Sequence, residues 1–203
     1  AIILLRHCSK HMIVLNPTDL HNIIPKSLIN KKYSRDWEGY DDNKEYTRGG
    51  KPYYLPVGFQ SEGIKVKNFI KYTCVGFHGT KAKNVKSIIE NGFWLPSENG
   101  GPLKGHYKLN DIHFDIPNFA DAIFVSPSIK YASLYAGKPI IAQNEKIICV
   151  ETGHVIHGLI RIVILQVRVT PKSYGIFKNT LNIDAKDQHY SKNEIEWRIP
   201  KKS

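Results

Sequence analysis

Gly158 to Val169 reads Gly-Leu-Ile-Arg-Ile-Val-Ile-Leu-Gln-Val-Arg-Val, a nearly unbroken run of β-branched and aliphatic residues. A strand that is apolar at consecutive positions has no polar face to offer to water, so it must be covered on both sides. The chain must therefore build a sheet with layers above and below a central strand. At 203 residues, 41% of them hydrophobic and 23% charged, it has the material for such a core without disulfides or metals. Wholesale disorder is excluded. No apolar run approaches the ~18 residues of a membrane-spanning helix.

The other regular elements cluster in the second two thirds of the chain. Val75 and Phe77 alternate with Cys74, Gly76 and His78, the period of a strand. Thr80 is placed to cap a following helix, on which Val85, Ile88 and Ile89 share a face; Gly92 supplies the left-handed stop. Ala122 to Val125 predicts a short strand, and Pro127-Ser128 opens a helix carrying Ile129, Tyr131 and Tyr135. Glu194 to Ile199 alternates, with Glu194, Glu196 and Arg198 on one face and Ile195, Trp197 and Ile199 on the other. Residues 96–118 read as a long loop. Residues 31–51 are polar and also read as loop, and Pro52 to Phe59 as an aromatic segment that packs irregularly. Strands and helices do not alternate as in a βαβ array, and no GxGxxG follows a strand, so a Rossmann fold has no footing.

The net charge is +11, divided as +5 over residues 1–71 and +6 over residues 72–203. Such an even excess is either a lysine-rich solvated surface or one suited to polyanions such as nucleic acid or a phosphate-bearing cofactor. Cys8, Cys74 and Cys149 are far apart and form no CxxC pair, which argues against a zinc ribbon and favours a reducing compartment. Cys149, His154 and His157 lack a fourth ligand, so no metal is expected. None of the cysteines sits in a setting that would activate it for nucleophilic hydrolysis.

Three weak signals remain. A histidine at a strand end is commonly structural, tyrosines four apart on a helix commonly pack in a core, and alternating carboxylates commonly form a solvated face. In their order and spacing, however, Phe77-His78-Gly79-Thr80, Ile88-Ile89-Glu90-Asn91-Gly92-Phe93, Ala122-Ile123-Phe124-Val125-Ser126, the tyrosine helix and Asn193-Glu194-Ile195-Glu196-Trp197 resemble the ADP-ribosyltransferase superfamily. The match is to its His–Tyr–Glu group, which includes the poly-ADP-ribose polymerase catalytic domains, and covers residues 72–199. The segment Gly50-Lys51-Pro52-Tyr53-Tyr54-Leu55-Pro56-Val57-Gly58 is also similar to the CteC-like bacterial effectors, which modify a threonine of ubiquitin.

The resemblance implies an α+β fold. Residues 72–203 would form a catalytic domain with a split mixed sheet and flanking helices, and residues 1–71 an N-terminal extension packed on it. It implies NAD as co-substrate, mono-transfer to a protein acceptor such as ubiquitin, no membrane association and a monomer. The setting would be cytosolic, the host cytosol if the chain is a secreted effector. His78 would bond the adenosine ribose, Gly79 the nicotinamide amide, and Thr80 would support the loop. Phe124 and either Tyr131 or Tyr135 would flank the nicotinamide ring. Ser126, Ser128 and Ser133 compete for the carboxamide contact. Either Glu194 or Glu196 would stabilise the oxocarbenium-like ribose, with Glu196 preferred because Trp197 beside it would anchor the strand. Two other readings stay open: a nucleic-acid-modifying enzyme on the same fold, including a tRNA 2′-phosphotransferase, and an inactive binding domain.

Overall fold

The computed structural model describes residues 3–7, 24–65, 72–95, 122–136, 140–141, 146–148, 155–157, 160–161, 163–180 and 187–200. The expected loop at 96–118 and the Cys149–His154 segment lie outside them. The chain is α+β, with few helices and several antiparallel sheets. The largest has five strands in the order β2 (Arg35–Asp36), β5 (Phe59–Gly63), β1 (Ile3–His7), β12 (Val163–Val169) and β6 (Cys74–Gly79). A second has three, β13 (Gly175–Phe177), β14 (Glu196–Pro200) and β7 (Ala122–Val125). Three two-stranded pieces pair β3 (Glu45–Arg48) with β4 (Lys51–Tyr54), β8 (Ile140–Ile141) with β11 (Ile160–Arg161), and β9 (Lys146–Ile148) with β10 (Val155–His157). Every described ladder is antiparallel, so the expected mixed sheet is not what these strands form.

The run at 158–169 supplies the central strand, but the regular portion is β12. Ile160–Arg161 pairs elsewhere, with β8. β12 is flanked by β1 and β6, and its two faces feed two cores. Leu165, Val167 and Val169 join Cys74, Val85, Val125 and Trp197 on one side. Ile164 joins Tyr53, Phe59, Val75, Phe77 and Ala132 on the other. Helix α1 (Ala82–Asn91) covers the first core through Val85, Ile88 and Ile89, and helix α2 (Ile129–Ser133) covers the second through Ala132. Burying each of the larger side chains contributes about 1.5–3 kcal/mol.

Residues 1–71 do more than pack on this core. β1 lies between β5 and β12, so the first part of the chain supplies strands of the main sheet itself. Two expectations for this region are corrected. Part of the stretch read as loop and aromatic packing is a hairpin, β3 to β4, with Glu45 opposite Tyr54 and Arg48 opposite Lys51. Its turn is Gly49-Gly50, both at positive φ (60° and 78°), the backbone that two-residue hairpins demand and that glycine adopts without strain. Phe59 then begins β5.

A backbone bridge links the two principal sheets. Phe77 N–H donates to the Ser126 carbonyl at 2.7 Å, and Ser126 N–H returns the bond at 2.9 Å. Above this bridge, Val125 and Trp197 fill the gap so closely that a methyl group on Gly76 would stand 2.3 Å from Val125 Cγ1.

Candidate functional site

Glu196 opens β14 and is 1% exposed. It is buried because β14 is held on both edges, by β13 (Phe177 opposite Glu196) and by β7 (Val125 opposite Trp197). A carboxylate taken out of water needs donors to replace it. Tyr131 Oη donates to Oε2 at 3.0 Å, Thr180 Oγ1 to Oε1 at 2.6 Å, and the Thr180 N–H to Oε2 at 3.3 Å. Arg198, two residues along the same face, donates Nε and one terminal nitrogen to Oε1 at 3.0 and 2.9 Å. The Arg198 guanidinium also lies 4.1 Å from the Phe177 ring centre and 5.5 Å from that of Phe124, where ring quadrupoles favour a cation. Its second terminal nitrogen is buried with no hydrogen-bond partner among the described residues.

The two tyrosines form a relay to that carboxylate. Tyr131 is 2% exposed, and its hydroxyl lies 2.9 Å from that of Tyr135. Because Tyr131 gives its proton to Glu196, Tyr135 donates to Tyr131. Burial pushes both phenols above the ordinary range, with the Glu196 charge adding to the effect. The helix that positions Tyr131 is capped by Ser128, whose hydroxyl accepts from Tyr131 N–H at 3.0 Å and donates to Asp187. That helix ends at Ser133. Tyr135 lies in the following turn, its N–H bonded to Ala132 O, and the residue is 38% exposed. Tyr135 therefore borders solvent where Tyr131 does not.

His78 belongs to the other sheet. Its Nδ1 lies 2.7 Å from the carbonyl oxygen of Phe124 on β7. A carbonyl only accepts, so Nδ1 carries the proton and neutral Nε2 is left as an acceptor. Burial pushes the imidazole below its ordinary pKa, and the carbonyl bond opposes this in part. The Phe93 ring meets it edge-on at 4.8 Å. β6 and β14 are not hydrogen-bonded neighbours. β7 stands between them, paired with β14 and bridged to β6 at Ser126.

The remaining sequence candidates divide. Gly79 lies against α2, where a Cβ would fall 1.8 Å from Ala132 O, so its missing side chain serves helix packing. Thr80 is buried and does not cap α1. The cap position is Lys81 without a side-chain bond, and Thr80 Oγ1 instead accepts from Asn84 at 3.2 Å. Ser126 is buried at the inter-sheet bridge, and its hydroxyl accepts from Ser128 N–H at 3.0 Å. Ser133 is turned to its own helix, bonding Lys130 O. Glu194 is corrected: it lies in a turn before β14, exposed, with its N–H on Ser191 O, and is not on the strand face of Glu196. The alternation read through it stops at Ile195 because the ladder with β13 and β7 begins only at Glu196.

Two members of the cluster carried no functional signal in the sequence. Thr180 sits in a short segment after β13, 16 residues before Glu196. Asp187 meets Ser128 across 59 residues. The strand alternation did put Arg198 on the face of Glu196, but gave it no role. Among the described residues no group of three or more His, Cys, Asp or Glu is placed to hold a metal ion, and no helix is long and apolar enough to cross a membrane.

Comparison of the chain with protein-family models, curated proteins and solved structures finds no match. The reading of the site therefore rests on its own chemistry.

Proposed function

We propose that this chain is an NAD-dependent mono-ADP-ribosyltransferase acting on a protein acceptor, on the split-sheet fold of that superfamily. The observation that carries the reading is the buried Glu196 carboxylate, fed by the Tyr135–Tyr131 relay on one sheet, with His78 on the other sheet bonded to Phe124 O of β7, the strand that pairs with β14.

The residues fit a dinucleotide by their hydrogen-bonding sense. Ribose hydroxyls are donors; Glu196 and His78 Nε2 are acceptors on two different sheets, matching two sugars of one ligand. Tyr135, half open beside the relay, supplies an aromatic face for a planar leaving group. Gly79 fits less well, since its packing against Ala132 accounts for the missing side chain without a ligand.

In the transfer, the bond between the nicotinamide nitrogen and ribose C1″ breaks, and nicotinamide leaves with the bonding pair. An acceptor oxygen then bonds C1″ and releases its proton to solvent. Positive charge builds on the ribose before the new bond forms. A fixed carboxylate lowers the energy of that state more than of the ground state, because its dipolar surroundings are already oriented. Tyr131 and Arg198 hold Glu196 in place for this, so the cost of ordering it is met in folding.

The +11 charge favours nucleic acid as the competing acceptor class. The test is incubation with NAD and either ubiquitin, a mixed cytosolic protein extract or RNA, following nicotinamide release and the added mass of one ADP-ribose. Nicotinamide release with adducts on protein is the expected result. Adducts on RNA alone would move the acceptor to the second reading, and no release of nicotinamide would overturn both.

A further inference from the structure

The acceptor capacity of Glu196 is already taken up by the protein's own donors, so a substrate hydroxyl must displace one of them. Tyr131 and Arg198 are 2% and 5% exposed and are fixed on a helix and on β14 itself. Removing either from the carboxylate means opening the core. Thr180 differs. It is only partly buried, stands outside the strands, and offers an alcohol hydroxyl, the same donor a sugar offers. We infer that Thr180 is a specificity-determining residue, a stand-in whose hydroxyl keeps the place on Glu196 that a ribose hydroxyl of the co-substrate takes.

This deepens the transferase reading and rests on it. While the site is empty, Thr180 spares the buried carboxylate the cost of an unmet acceptor, which for charged groups is high. On binding, one alcohol replaces another and the charge on Glu196 keeps its donor count. A ligand without a hydroxyl at that point would expel Thr180 and return nothing, so the site would reject it. Every NAD molecule must meanwhile compete with a group that is always present, and that raises its KM.

The experiment compares wild type with Thr180→Ala, Thr180→Val and Thr180→Ser in steady-state nicotinamide release, and in calorimetric binding of ADP-ribose. Deleting the hydroxyl is expected to lower KM and to tighten ADP-ribose binding about ten-fold, with a smaller change in kcat. Ala and Val both delete it, so one folded variant suffices, and thermal melts show which fold. Ser keeps the hydroxyl and is expected to restore both constants toward wild type. An unchanged or raised KM and unchanged ADP-ribose binding in a folded Ala or Val variant, with wild type active, would overturn this inference alone. A wild-type chain that neither releases nicotinamide nor binds ADP-ribose would remove the transferase reading and this inference with it.

Discussion

The hydroxyl of Tyr131 stands 3.0 Å from Oε2 of Glu196, across 65 residues of chain. The contact is made because α2 leaves the end of β7 while β14 pairs with β7, which brings the helix back over the first residue of β14. Tyr131→Phe removes one donor from a buried carboxylate and the partner of Tyr135 and of the Thr180 N–H. Loss of a hydrogen bond to a charged group costs about 1.5–3 kcal/mol. Tyr135→Phe removes only the outer member of the relay and should cost about 0.5–1.5 kcal/mol. Urea titrations of the two variants should rank them in that order.

Glu196→Gln keeps the size and removes the charge. Nicotinamide release should fall by about 10²–10³ if the carboxylate stabilises the developing ribose cation. Stability should fall as well, because Arg198 is left buried without its counter-ion, a loss of the order of 3–5 kcal/mol when a buried pair is broken. The double variant Glu196→Gln with Arg198→Met should recover much of the stability and none of the activity. Glu194→Gln, in an exposed turn, should be close to wild type in stability.

Gly79→Ala should destabilise by about 1–3 kcal/mol, the usual range for overpacking, because the added methyl meets the backbone oxygen of Ala132 rather than a movable side chain. A chemical-denaturation midpoint matching wild type would show that α2 can move away from β6.

Burial holds the His78 imidazole below its ordinary pKa of 6.5. The unfolded chain therefore takes up a proton below about pH 6.5 that the folded chain refuses. This group makes stability fall as pH drops through the window between the unfolded and folded pKa values, and has no effect above it. His78→Gln can still donate to Phe124 O and does not titrate. Between about pH 7.5 and about pH 5.5 the wild-type urea midpoint should drop more than that of the variant.

Local pattern was enough to predict β6, β7, the apolar face of α1, and the end of that helix at Gly92, whose N–H bonds Ile88 O at a φ of 83°. It also put Tyr131 and Tyr135 within reach of each other and Arg198 on the face of Glu196. These readings need only the periods of a strand and a helix, which each segment carries alone. The Gly49-Gly50 hairpin was missed, because its flanking residues are polar enough to read as loop. Tertiary structure decided the rest. Whether Glu194 or Glu196 is buried depends on where the ladder with β13 and β7 starts, and the strand's own alternation runs through both residues. Which tyrosine touches the carboxylate depends on which turn of the segment lies over the first residue of β14, and Tyr131 is the one placed there. β1 enters the main sheet through partners near residues 60 and 165, and Thr180 reaches Glu196 from outside any regular element. Such contacts are fixed by long-range register and by the need to satisfy a buried charge, and no single segment of sequence records either.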